Sequence, residues 1–373
     1  MSVINCDVLV VGAGPAGSVA ALYCSRHGLK TILIEKTRGI GQHMRPRIDS
    51  SPEAGLTKIL KELDLKTENR VFTSTWYSPS GSSFTLHSKK GEYYFKRGPD
   101  PDSFECSTVR KAIKFGCMLL DGVKVKNLHE AGERFDQVTL LRDNEVIVIT
   151  PKLLIAADGG HSLFHAYLNK TLISTRVAFG VTGKDFGHPD TSEISFDASL
   201  APGGYFYIVT SPGGLSSAGI VVDSLKMQRS AHSYFNSFLT RNPKIAQRLT
   251  SILNNYEGSG EIFDLAAYRT KNCLFVGDAA GLIDPLFGYG MMPAIVSAYY
   301  ASKYSRDAIK TDDFQILQDY DTFIRHQFPK RVSHLYRKVF DTLDNGEFEL
   351  IIDLLNELQS KTDIDKLLCL VDS

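Results

Sequence analysis

The segment Gly12-Ala13-Gly14-Pro15-Ala16-Gly17 has the residue types and spacing to hold a dinucleotide pyrophosphate. Gly12 permits a tight turn. Gly14 removes the side chain where backbone must approach phosphate, and Gly17 lets a helix pack close to a strand. Pro15 and Ala16 open that helix, whose first N–H groups have no partner within the helix and favour an anion. Glu35 follows Gly12 by 23 residues and suits hydrogen bonds from the adenosine ribose, with Lys36 beside it. Elements must position these groups. Residues 6–11, CDVLVV, predict a buried parallel strand. The Ala- and Leu-rich stretch up to Gly28 predicts a helix, and residues 31–34, TILI, a second strand. This unit alone does not choose between FAD and NAD.

Two further turns repeat the logic. Residues 152–160, KLLIAADGG, predict a strand that delivers Asp158 and Gly159 at its C-terminal end, where open α/β sheets bind ligands. Residues 273–281, CLFVGDAAG, deliver Gly277 and Asp278 in the same manner. The segment continues through Pro285, Gly288 and Gly290 into a long helical run that begins near Met291. Small residues before a helix start offer a second site for an anion or a carbonyl.

The rest of the chain bounds the function. Its 373 residues carry 42 Lys+Arg and 42 Asp+Glu, so net charge is zero and no broad nucleic-acid surface is expected. Six cysteines form no CxxC pair, so neither a metal knuckle nor a disulfide framework is expected. The absence of a leader-like start and of an 18-residue apolar run predicts a reduced cytoplasmic setting. Residues 70–97 alternate polar and apolar types and break at Pro79-Ser-Gly81 and Lys89-Lys-Gly91, which predicts antiparallel strands. Strands are also expected over 123–149, around a turn at Asp143-Asn144, and over 175–222. Helix is expected over 104–117, over 230–256, and from Phe314 onward with a kink or junction at Pro329. The tail FELIIDLLNEL followed by DIDKLLCLVD is amphipathic. Its helices either pack on the protein or rest on a membrane surface.

With these motifs in hand, the chain resembles the FAD-dependent superfamily of para-hydroxybenzoate hydroxylase, and more closely its geranylgeranyl reductase branch. The matching pieces are GAGPAG at 12–17, Glu35, ADGGHS at 157–162 and GDAAGLIDPLFGYG at 277–290. The resemblance implies an α/β fold: a FAD-binding Rossmann-like domain (1–70, 98–174 and 260–310) interleaved with an antiparallel-sheet substrate domain (71–97 and 175–259), then a C-terminal helical region (311–373). It implies that Asp278 bonds the ribityl or pyrophosphate part of FAD. Gly288, Gly290 and Met291 would bring a helix N-terminus to the flavin ring, and Asp158 and Gly159 would help bind the cofactor. Arg45 and Arg97 fall where relatives place residues near the cofactor. Relatives carry an arginine shortly after DGxxS, where this chain has His165. Many archaeal reductases carry a cysteine in the region of residues 35–48, where this chain has none.

Pro202-Gly-Gly-Tyr205-Phe-Tyr207-Ile-Val resembles the reductases' substrate motif PxxYxWxFP, with Tyr207 in place of the tryptophan. The resemblance implies hydride transfer from flavin N5 to isolated double bonds of a geranylgeranyl-type lipid in a dry cavity. Tyr205, Tyr207 and His43 are the candidate proton donors. The electron donor is left open among NAD(P)H, ferredoxin and others. Two alternatives share the FAD motifs: an aromatic or polyketide monooxygenase working through a flavin C4a-hydroperoxide, and a flavin-binding protein without turnover.

Overall fold

In the computed structural model, which describes residues 2–361, the apolar N-terminal run becomes a strand and the glycine turn leads into a helix. The first third contains β1 (Ser2–Val11), α1 (Pro15–Arg26), β2 (Thr31–Glu35), β3 (Arg47–Pro52), α2 (Leu56–Leu63), β4 (Asn69–Tyr77), β5 (Ser83–Arg97) and α3 (Phe104–Lys114). Then come β6 (Met118–Asp121), β7 (Lys124–Ala131), β8 (Arg134–Arg142), β9 (Glu145–Ala156), β10 (Lys170–Lys184), β11 (Thr191–Ser195), β12 (Tyr205–Thr210) and β13 (Leu215–Asp223). The last third holds α4 (Ala231–Arg241), α5 (Pro243–Ala246), β14 (Ile252–Leu265), β15 (Arg269–Thr270) and β16 (Cys273–Phe275). The helices α6 (Met291–Thr311), α7 (Leu317–Gln327), α8 (Lys330–Thr342) and α9 (Asn345–Lys361) close the described chain.

The first sheet has the order β15-β16-β9-β1-β2-β6, with β7 and β8 continuing from β9 as an antiparallel meander. From β16 to β6 the strands run parallel. Val8, Leu9 and Val10 are fully buried, as a strand covered on both faces requires. Nearly all of α1 is buried, because Gly17, Ala20 and Ala21 let it lie against both the sheet and α6; Ser302 Oγ donates to Ala20 O at 3.4 Å. The register sets Val11 beside Ile34 and Ala156, and Ala156 beside Phe275. The turns after β1, β2, β9 and β16 therefore leave one edge of one sheet. This is how three motifs far apart in sequence become one site.

The second sheet, β14-β10-β13-β12-β11-β4-β5-β3, is antiparallel apart from the β11–β4 pair. Strand alternation divides β12 between two faces. Phe206 and Ile208 pack beneath α4, where Phe206 stacks on Phe238 at 4.1 Å between ring centres. Tyr205, Tyr207 and Val209 face the other way.

Two local expectations change. Helix over 230–256 ends with α5, and residues from Ile252 form β14, paired along β10 from Gly183↔Ile252 to Lys170↔Leu265. The polar text Asn254-Asn255-Tyr256 carries no strand signal of its own; its partner strand imposes the conformation. The break at Lys89-Lys-Gly91 is an irregularity inside the single strand β5, not a turn between strands. Arg47 and its neighbours form β3 on β5. Pro329 is a junction: α7 ends at Gln327 and α8 begins at Lys330. The Asp143-Asn144 turn links β8 to β9 through the Arg142↔Glu145 pair. Among the described residues no helix is long and apolar enough to cross a membrane. The amphipathic segment 363–372 lies outside the described residues.

Candidate cofactor and substrate site

A cavity of about 990 Å³ opens at the C-terminal edge of the first sheet and is closed on its far side by the second. Of the residues singled out from sequence, it touches Gly12, Gly14, Pro15, Ala16, Glu35, Lys36, His43, Arg45, Arg97, Asp158, Gly159, Tyr205, Tyr207, Asp278, Gly288, Gly290 and Met291. Gly17, Gly277 and Pro285 do not line it. Gly277 lies behind the wall, with its N–H donating to Ser297 Oγ at 2.9 Å.

The three glycines of the first turn have different reasons. Gly12 has φ +99°, and a Cβ there would overlap the Ala157 carbonyl. A Cβ on Gly17 would overlap Gly12 O, so the helix sits on the turn only without one. A Cβ on Gly14 would meet no protein atom within 4 Å, and Gly14 borders the cavity. The protein leaves a cradle there that a side chain would fill. No side chain caps α1, and its first turn holds no acid. An anion fits this end. Glu35 is buried at the cavity edge and also shapes the loop: Ala13 N–H donates to Oε2 at 2.9 Å and Thr37 N–H to Oε1 at 3.0 Å. A carboxylate keeps acceptor capacity beyond two bonds, so ribose hydroxyls still suit it.

The second end is built by the segment after β16. Asp284 folds it, accepting from Phe287 N–H at 2.6 Å and Leu286 N–H at 3.1 Å through Oδ1, while Gly288 N–H donates to Asp284 O at 2.9 Å. Arg176, from β10, donates Nη2 to the carbonyls of Pro285 and Leu286, both at 3.0 Å, which ties this loop to the second sheet. Gly290 starts α6 with no side-chain cap, and Met292 N–H donates to Ser51 Oγ at 2.9 Å. Asp158 Oδ2 accepts from Leu163 N–H at 3.0 Å, while its buried Oδ1 has no partner among the described residues. His165, which replaces the family arginine, stacks on Phe275 and donates Nε2–H to Ala279 O at 2.7 Å. It joins the two acidic turns to each other.

Burial pushes the Asp278 carboxyl up to about 6, although Arg97 draws it down. In the cofactor-free protein the folded state then holds this proton more tightly than the unfolded chain. That contribution to stability is full below about pH 4 and is lost as pH rises through about 6. Asp278→Asn should therefore stabilise the cofactor-free chain at pH 7.5 by about 2–3 kcal/mol, with the gain fading near pH 4. Urea melts at both pH values read the difference; a gain independent of pH would reject a buried charge as its source.

Arg97 is held by protein acids. It pairs with Glu105 and, at 2.6 Å, with Asp49, and its Nη2 approaches Met44 Sδ at 3.5 Å. Asp49 also accepts from Arg47 at 2.8 Å. Burial alone would raise the Asp49 carboxyl, but Arg47 and Arg97 hold it below the usual range. Lys36, His43 and Arg45 are exposed at the cavity mouth.

Tyr205 and Tyr207 stand on the substrate side. Tyr205 Oη–H donates to Phe287 O, and its ring meets Phe287 edge-on. Tyr207 Oη shares a hydrogen bond with Tyr256 Oη at 2.6 Å. Burial pushes Tyr207 up to about 12, eased by the bond to Tyr256, and Tyr205 well above a normal phenol. Sequence reasoning missed Arg176, Asp284 and Tyr256. Only Asp284 left a signal, as the acid of an Asp-Pro turn.

Residues 5–334 match the model of the FAD binding domain family. The chain is 28% identical to a digeranylgeranylglycerophospholipid reductase from Thermoplasma acidophilum, over 94% of this chain and 91% of that protein. It is 29% identical to one from Methanocaldococcus jannaschii, over 96% and 93%. Among solved structures, a geranylgeranyl bacteriochlorophyll reductase-like protein from Thermoplasma acidophilum superposes with a TM-score of 0.85 at 25% identity, covering 95% of this chain and 92% of that one. A flavin-dependent brominase shares the fold at 17% identity, with a TM-score of 0.76 over 99% and 93% of the two chains. With the Gly14 cradle, the uncapped helix and the acidic turns gathered at one sheet edge, this match establishes that the chain belongs to the FAD binding domain family and that its cofactor is FAD.

Proposed function

We propose that this chain reduces isolated double bonds of an isoprenoid lipid of the geranylgeranyl type. The observation that carries the reading is an aromatic-walled cavity running from the dinucleotide cradle to Tyr205 and Tyr207. Near full-length similarity to the named reductases supports it. When bound and reduced, FAD supplies a hydride from its N5. Gly12, Gly14 and the start of α1 would seat its pyrophosphate, Glu35 its ribose and Asp278 its ribityl side. The 284–290 loop and the start of α6 would hold its ring end. Tyr205, Tyr207, Val209 and Val221 present an apolar wall that excludes water and orients the chain to be reduced.

Peripheral contact with a bilayer completes this reading. Leu335, Tyr336 and Val339 of α8 are exposed beside Lys338, and α9 exposes Leu350, Leu354 and Leu358 at four-residue spacing. The apolar stripe of α8 with its flanking cation suits the surface of an anionic membrane.

One assay tests both parts. The FAD-loaded protein is reduced anaerobically with dithionite and mixed with anionic vesicles carrying a lipid with two geranylgeranyl chains. The product should gain about 2 Da for each bond reduced, and the protein should sediment with the vesicles. An unchanged lipid mass with fully reduced flavin would overturn the reductase reading; protein left in the supernatant would overturn the membrane contact.

A further inference from the structure

Glu92 occupies an unusual place on β5. The β4–β5 ladder pairs Val71 with Glu92 and then Thr73 with His87, so residues 88–91 bulge out of it. Gly91 turns with φ +65°, and Ser88 Oγ accepts from the N–H groups of Lys90 at 3.2 Å and Gly91 at 2.9 Å. Bulges of this kind re-aim a side chain beside a site. Here the next residue, Glu92, lines the cavity.

Its surroundings differ from those of Asp49 and Glu105. Asp49 and Glu105 are paired with arginines. Glu92 forms no ion pair among the described residues; the groups that favour its charged form are the nearby hydroxyls of Ser192 on β11 and Ser50 on β3. Burial raises its carboxyl, which those two hydroxyls only partly oppose. Its charge bears on three phenols, Tyr94 on its own strand, Tyr205 on β12 and Tyr289 of the 284–290 loop. Tyr289 sits between Gly288 and Gly290, at the start of α6.

An isolated alkene has no carbonyl to polarise, so its second carbon needs an acid stronger than water or a phenol. The Tyr205 proton is held in its bond to Phe287 O, Tyr207 shares one hydrogen bond with Tyr256, and burial makes both phenols weaker acids than usual. A carboxylic acid kept neutral by burial is the stronger donor. We propose that Glu92 is the catalytic acid of this site, giving its proton to the alkene carbon that does not receive the hydride. The inference rests on the reductase reading above. In the step, the π bond breaks and two C–H bonds form. One carbon takes a hydride and its two electrons from reduced FAD, which is thereby oxidised. The other takes the Glu92 proton, leaving a carboxylate that regains a proton from solvent.

The test uses the FAD-loaded protein, reduced with dithionite without oxygen and mixed with the same geranylgeranyl lipid in vesicles. Glu92→Gln should keep its flavin content while flavin reoxidation by the lipid slows by about 10²–10⁴-fold. Glu92→Asp should keep part of the rate. A second readout needs no turnover: the infrared spectrum of the wild-type protein at pH 7 should contain a protonated carboxyl band that Glu92→Gln lacks and Glu92→Asp shifts. A wild-type protein that leaves the lipid unreduced overturns the reductase reading, and the donor role with it. Lipid reduced equally fast by wild type and Glu92→Gln overturns the role of Glu92 alone. If Glu92→Gln does not hold FAD, a wild-type spectrum without a protonated band that Glu92→Asp shifts overturns it equally.

Discussion

Gly14→Val should give a folded chain that purifies without yellow colour. Gly14 has φ −68° and ψ −169°, extended backbone that valine adopts readily. A Cβ there meets no protein atom within 4 Å, so the cofactor-free fold has no reason to resist it. The branched side chain would occupy the cradle where the pyrophosphate approaches backbone. Overpacking costs about 1–3 kcal/mol and each displaced hydrogen bond to a charged group about 1.5–3 kcal/mol. Together these correspond to a loss of FAD affinity of about 10²–10⁴-fold. The cofactor-free variant should melt within about 1 kcal/mol of its parent, since valine is a somewhat poorer N-cap than glycine. Flavin absorbance per chain and a circular-dichroism melt read the two effects separately. Full flavin occupancy would remove the pyrophosphate from this turn. Gly17 has the opposite geometry, because a Cβ there would overlap Gly12 O inside the protein. The two glycines of one motif thus separate a demand of the ligand from a demand of the fold.

The cofactor half was legible because its chemistry is local. A strand, a glycine turn and a helix start lie consecutively in the chain, and their backbone groups are fixed by residue types a few positions apart. Asp158 and Asp278 were found in the same way, each at the end of an apolar strand. The sequence did not reveal that Glu35 also braces the glycine loop through Ala13 N–H, since that bond closes across 22 residues. The substrate half was less legible for the same physical reason. Tyr256 reaches Tyr207 because β14 pairs with β10 and β12 pairs with β13. Glu92 faces the cavity because a bulge shifts the pairing of β5, and the text Lys89-Lys-Gly91 reads as a turn until its partner strand is known. Arg176 clamps the 284–290 loop across more than a hundred residues. Period-two text identifies strands, but not which strands pair or which face a given residue takes.

Arg97 was singled out from sequence as a group beside the cofactor, and its surroundings give it a second role that can be measured without FAD. Its side chain is 9% exposed and lies between Glu105, 1% exposed, and Asp49. Arg97→Met keeps length and apolar bulk but leaves the Glu105 carboxylate enclosed with no cation, and Glu105 Oε2 already has no hydrogen-bond partner among the described residues. Breaking one side of a buried pair costs about 3–5 kcal/mol, because the surviving charge stays desolvated. The cofactor-free variant should lose that much in a urea melt. Adding Glu105→Gln should recover a large part of it, since the double change removes both charges and leaves Asp49 its bond to Arg47. A variant that loses FAD affinity while its cofactor-free melt is unchanged would make Arg97 a ligand group and no more. A loss that appears without FAD and is relieved by Glu105→Gln would show that Arg97 joins β5 to α3. The cavity wall at Asp49 and Arg47 would then be set by the fold before the cofactor arrives, and Glu92, on the same strand, would stand on that fixed wall.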